Sequence, residues 1–240
     1  LGITIIPCVQ TLAHLIDVLK WSCYDNCKED ADTLLVGSER TYTLVRNILE
    51  TISRAFRSRK IHIGMDEAFF LGRGASIFKR GYRPVFEIMN EHLEQVRGIC
   101  ADLGIEPMIW SDMYITAAAK DGHTLGGYYA QTEEMPEAIV TTAPRDLHYV
   151  YWDYYHFRPE EYATVIRRHR KFADHLVFAG GIWNWTSHAV NYEETFGISS
   201  AALTACKAEG VSDVFATTWG DDGVENNIFT ILLGMQFYAE

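Results

Sequence analysis

The chain contains no run of about 18 apolar residues, the length a helix needs to cross a bilayer, so no membrane span is expected. Positive charge is also scarce: 21 lysines and arginines stand against 32 acidic residues, a formal net charge of -11. That balance argues against a nucleic-acid or anionic-membrane partner, since both repel an acidic surface. Cysteine is sparse and odd in number, with Cys8, Cys23, Cys27, Cys100 and Cys206 scattered along the chain. Such a set builds no disulfide framework and reads as reduced thiols, which favours an intracellular protein. Cys23 and Cys27 are spaced like half a metal site, but no second pair follows. No glycine-rich phosphate loop follows the first strand-like segment, which weakens a nucleotide-binding reading. Neither an initiator methionine nor a signal peptide precedes "LGITIIPCVQ", so an N-terminal portion is expected ahead of it. With no internal repeat and no low-complexity linker, one domain over residues 1–240 is the simplest organisation.

What the chain does contain is a regular alternation. "ITIIPCV", "KIHIGMD", "EPMIWSDM", "LHYVYWDYY", "HLVFAGGIW" and "DVFATTW" read as strands, short and rich in β-branched and aromatic residues. Between them lie segments with apolar positions near a 3.6 period, such as "TYTLVRNILETISRAF", "PVFEIMNEHLEQVRGICADLG" and "YEETFGISSAALTACKAEG". Pro159 before an acidic turn marks a helix start, and Gly104 and Gly210 mark helix ends. Six βα units imply a parallel sheet, either open and doubly wound or closed as a barrel. Every unit places polar or aromatic residues at its strand's C-terminal end. These are Gln10 and His14, Asp66 and Glu67, Trp110 and Asp112, Tyr151 and Asp153, Trp183 and Trp185, and Trp219 and Asp221. In a βα barrel those ends build the active site. A closed barrel needs eight units, so two would be missing from the front.

The most informative stretch is "RKIHIGMDEAFF", residues 59–70. As a strand it sets Ile61, Ile63 and Met65 on one face and His62, Gly64 and Asp66 on the other. A face of histidine, glycine and acid makes poor core, because unpaired buried charge is costly. It reads better as the wall and mouth of a site, with Asp66 and Glu67 at the strand's end. Alone, His14 and His62 read equally well as core histidines or as partners holding the acid pair. "RRHRK" at 167–171 reads as a solvated helix face, and nothing selects Asn184 or Asn191 as ligands of a substrate.

"HIGMDE" at 62–67 resembles the His-x-Gly-Gly-Asp-Glu signature of family 20 glycoside hydrolases, the β-N-acetylhexosaminidases, with Met65 in place of the second glycine. "PCVQTLAH" resembles that family's third-strand segment ending in a site histidine, here His14. "YWD" at 151–153 resembles the sixth-strand Tyr-x-Asp, and "TWGD" at 218–221 the eighth-strand Trp-x-Glu, with Asp221 in place of glutamate. The resemblance implies a (β/α)8 TIM barrel of which this chain carries about six units, strands 3 to 8. It also implies an exo-acting, retaining hydrolase of the compact bacterial type, cytoplasmic, that needs no cofactor and no metal. Asp66 and Glu67 would be catalytic. Tyr151, Asp153, Trp110, Trp183, Trp219, Asp221, His14 and His62 would bind substrate or hold the acids. The partners implied are glycosides ending in N-acetylhexosamine and the missing N-terminal barrel segment, with a homodimer left open. Two other readings compete: a metal-dependent barrel hydrolase using the strand-end acids, and a non-catalytic carbohydrate-binding protein.

Overall fold

A computed structural model describes residues 2–117, 125–186, 188–220 and 226–240. The first helices are α1 (Ile16–Leu19), a 3-10 segment over Ser22–Cys27, and α2 (Glu39–Ala55). Strand β1 (Lys60–His62) precedes α3 (Ala75–Arg80) and α4 (Val85–Leu103). Strand β2 (Glu106–Trp110) leads to α5 (Asp112–Thr116), α6 (Leu125–Tyr128) and α7 (Glu137–Thr142). Strand β3 (His148–Trp152) and α8 (Pro159–His169) are followed by β4 (His175–Gly181) and α9 (Tyr192–Glu209). Strand β5 (Asp213–Thr217), a 3-10 turn at Ile228–Ile231 and α10 (Leu232–Ala239) complete the order. The strands succeed one another across the sheet in chain order, β1-β2-β3-β4-β5. Helical crossovers between sequential strands are what generate that order. No helix among the described residues is long and apolar enough to cross a membrane. All five cysteines are free.

The chain packs as two units: residues 1–129, 135–149 and 172–174 form one, and residues 130–134, 150–171 and 175–240 the other. In the first, β1 and β2 pair in parallel, His62 opposite Met108. The amphipathic α2 turns Thr41, Val45 and Leu49 inward at helical spacing and lies against α4. Helix α4 ends on Gly104 at φ 66, whose N–H and that of Ile105 satisfy the last carbonyls.

The expected first strand is reduced to one parallel bridge, Cys8 to His62, closed by Val9 N–H to His62 O and His62 N–H to Pro7 O. One step back along a parallel ladder, the residue-7 nitrogen would donate to Lys60. Pro7 has no N–H, so the ladder stops there.

In the second unit, β4 and β5 pair in parallel from Val177 opposite Asp213 to Gly181 opposite Thr217. Helix α8 starts with Pro159 in its first turn and packs on α9, which ends on Gly210 at φ 68. The "RRHRK" segment departs from the solvated face expected of it, because Arg168 and His169 are buried. Arg168 donates to the Glu134 carbonyl and the His169 ring lies 4.7 Å from that of Tyr151. A Cβ on Gly181 would stand 2.6 Å from Trp185, so that strand end admits only glycine without a shift.

Candidate active site

Strand β1 ends at His62, and the chain then turns sharply. Gly64, Met65 and Glu67 have φ of 70, 76 and 49. Among the described residues the non-glycine positions with positive φ are His14, Met65 and Glu67, all at the acid pair. Left-handed conformations cost side-chain-bearing residues on the order of 1–2 kcal/mol each. They persist only where the surroundings impose them, and here the surroundings are a dense set of hydrogen bonds. The strict alternation expected through Asp66 is therefore broken at Gly64, while Ile61, Ile63 and Met65 are all fully buried.

Gln10 bridges the turn: its Nε2 donates to Asp66 Oδ1 at 2.8 Å, and its Oε1 accepts Met65 N–H at 3.2 Å. Thr11 Oγ1 donates to the Ile63 carbonyl at 2.7 Å. The buried Asp112 carboxylate, one turn beyond β2, accepts Glu67 N–H at 2.9 Å. His14 lies between the two acids, its Nε2 3.3 Å from Asp66 Oδ2 and 3.5 Å from Glu67 Oε2. These hydrogen bonds to Asp66 and Glu67 raise the His14 pKa to about 10 against the opposing effect of partial burial. His14 is thus a cation at neutral pH. Its own backbone is held from below, where Asp32 accepts His14 N–H at 3.2 Å and Ile16 N–H at 3.1 Å. The Asp66 and Glu67 side chains are 15% and 29% exposed, so both carboxylates remain reachable from solvent.

His62 behaves differently. It is buried, its Nδ1 accepts Gly64 N–H at 3.1 Å, and its ring lies 4.4 Å from that of Trp110. Desolvation lowers its pKa to about 4, so it is neutral at working pH, with its proton on Nε2. Of the two histidines left open by the sequence, His14 touches both acids and His62 supports the backbone of their turn.

In the second unit Tyr151 and Asp153 are both fully buried and bonded to each other, the Tyr151 hydroxyl donating to Asp153 Oδ2 at 2.6 Å. His156 Nδ1 approaches the same oxygen at 2.8 Å, and Tyr155 N–H donates to Oδ1 at 3.1 Å. The bond to Asp153 raises the His156 pKa. Trp183 and Trp219 meet through Tyr154: Trp183 Nε1 donates to its carbonyl at 3.0 Å and Trp219 Nε1 to its hydroxyl at 3.1 Å. Trp183 also stacks on Trp185 at 4.9 Å. Asn184 donates to the Trp219 carbonyl, and Asn191 caps α9 by accepting Glu194 N–H. Asp221 lies outside the described residues.

Gln10 stood at a strand end in the sequence without an assigned role, and Asp112 only as a strand-end acid of the metal-dependent reading. No local pattern could select them, since their partners are 56 and 45 residues away. Among the described residues, no three His, Cys, Asp or Glu side chains are arranged to hold a metal ion.

A family model described as glycosyl hydrolase family 20, catalytic domain, matches residues 7–199. Among the solved structures similar over nearly the whole chain are two from bacterial enzymes. One is the exo β-N-acetylglucosaminidase of Vibrio harveyi, 15% identical with a TM-score of 0.55, covering 99% of this chain and 38% of that one. The other is a catalytic module of the pneumococcal exo-β-D-N-acetylglucosaminidase StrH, 14% identical with a TM-score of 0.54, covering 99% and 59%. At such identities the likeness is one of fold, and this chain spans less than two thirds of either relative. No curated protein sequence matches the chain significantly.

Proposed function

We propose, since this chain belongs to glycosyl hydrolase family 20, that it carries the acid pair of an exo-acting β-N-acetylhexosaminidase. The observation that carries the reading is the strained turn after β1, which holds adjacent carboxylates, solvent-reachable, on either side of His14. Backbone strain concentrated on His14, Met65 and Glu67, around the acid pair, is hard to account for by stability alone.

In this reading Glu67 protonates the glycosidic oxygen and later accepts a proton from water. No protein nucleophile attacks. The sugar's own 2-acetamido oxygen closes on the anomeric carbon to give an oxazolinium ion, the substrate-assisted route that retains configuration. Asp66 receives the acetamido N–H and offsets the positive charge that develops there. Both Asp66 oxygens already accept one hydrogen bond, and a carboxylate oxygen has capacity for a second. Tyr151 is assigned to the acetamido oxygen. Its hydroxyl donates to Asp153 in the structure, so taking that part exchanges one hydrogen bond for another. Asp153 and Asp221 are assigned to ring hydroxyls. Trp110, Trp183 and Trp219 are assigned to the apolar faces of the sugar and its acetamido methyl.

The proposal extends to the rest of a (β/α)8 barrel, of which this chain supplies strands 3 to 8. The test is release of nitrophenol from its β-N-acetylglucosaminide and β-N-acetylgalactosaminide, with and without chelator. Chelator-resistant release that is abolished in Asp66→Asn supports the reading. Loss of activity to chelator would favour the metal-dependent alternative. Sugar binding without any turnover would favour the non-catalytic one.

A further inference from the structure

We propose that Gln10 is a positioning residue that orients Asp66 through a hydrogen bond whose donor, an amide, does not titrate. The amide has one satisfactory orientation. Its Oε1 must accept Met65 N–H and its Nε2 must donate to Asp66 Oδ1. Flipped, it would set oxygen against carboxylate and N–H against N–H. The close approach is built in on both sides. A Cβ on Gly64 would stand 1.9 Å from Gln10 Oε1, so the neighbouring position must lack one. Gln10 is itself pinned between Val9, which donates to the His62 carbonyl, and Thr11, which donates to that of Ile63. Asp66 is then gripped at both oxygens, by Gln10 at Oδ1 and by His14 at Oδ2. Each oxygen keeps one acceptor direction for a substrate N–H. A carboxyl at position 10 could make the same contacts only while protonated, because two adjacent carboxylates cannot both ionise without repulsion. Glutamine removes that dependence.

The proposal rests on the reading of Asp66 as the group that assists the acetamido. The titratable groups facing Asp66 are His14, Glu67, Cys8 and His62. All are unchanged in the variants below, so differences from the wild type report position 10.

In the full chain, Gln10→Met should lower kcat on nitrophenyl β-N-acetylglucosaminide roughly 10- to 100-fold, the usual worth of a hydrogen bond to a charged group, with KM little changed. Substrates with good and poor leaving groups should suffer alike, since Asp66 acts on the acetamido and not on the leaving oxygen. Gln10→Glu should approach wild-type kcat at the acid end of the profile and lose it at lower pH than the wild type does. Carbon-13 titration of the carboxyls in Gln10→Glu should show Asp66 and the introduced carboxyl sharing one proton. That measurement needs no activity, so it decides the clamp even if Gln10→Met fails to fold or if the protein hydrolyses no hexosaminide. An inactive wild type would overturn the functional reading alone. Independent carboxyl titrations, or a Gln10→Glu profile parallel to the wild type, would overturn the role of Gln10.

Discussion

Met65 combines a left-handed backbone, φ 76, with a fully buried side chain. The two features oppose each other in mutation. Truncation to alanine removes buried contacts, at a cost of about 2–5 kcal/mol, and leaves the strain in place. Truncation to glycine loses the same contacts and relieves the strain. Met65→Gly should therefore be more stable than Met65→Ala by about 1 kcal/mol, the reverse of the usual order, as judged by urea denaturation. Chemistry at this scale separates the two acids. Glu67→Gln should lower activity on poor leaving groups by roughly 10²–10⁴-fold and on good ones much less, because the latter need little protonation. Asp66→Asn should impair both and yield no inverted glycosyl azide when azide is added. Finding that azide product would make Asp66 a nucleophile.

The element that matters most is the loop leaving β1, and a buried acid anchors its far end. Glu29 accepts Gly74 N–H at 2.8 Å, Ser76 N–H at 3.0 Å and the Ser76 hydroxyl at 2.6 Å. In Glu29→Gln one oxygen becomes an NH2 facing these donors. The loop should lose about 1–3 kcal/mol of local stability, seen as faster hydrogen exchange at the Gly74 and Ser76 amides. A smaller effect belongs to α9. Asn191→Ala should cost about 1 kcal/mol, since its side chain caps the helix. Nothing in the sequence selected Asn191 for a substrate contact, and the structure gives it this cap. Pro159, Gly104 and Gly210 were legible as helix boundaries, because capping is decided within a few residues.

At the scale of the whole molecule, buried histidines set the acid limit of stability. His62 and His92 are held neutral with pKa about 4, and His169 about 3, each by desolvation. Unfolding lets them protonate at the ordinary value near 6.5. Stability should therefore fall as pH drops from about 6.5 toward 4, by about 1.4 kcal/mol per pH unit for each histidine. His169→Phe keeps the ring's place near Tyr151 and removes one titrating group, so it should reduce that slope by one proton in a pH series of denaturation midpoints. His14 acts in the opposite sense. Its raised pKa favours the fold fully below 6.5, and that contribution fades as pH rises through about 10. His14→Gln should remove this alkaline dependence and leave the acid limb unchanged.

The sequence by itself determined the βα alternation, the boundaries of the long helices and the position of the acid pair just past a strand, because periodicity, capping and turn chemistry act over a few residues. It could not show that Pro7 stops the first ladder, since that depends on which residue lies opposite. Nor could it show that Met65 adopts a glycine's conformation, or that Gln10, His14 and Asp112 converge on residues 65–67 from 45 to 56 positions away. Those facts are set by which segments pack together. Hydrogen bonds between distant residues leave no periodic trace in the chain, and only the tertiary structure decides them.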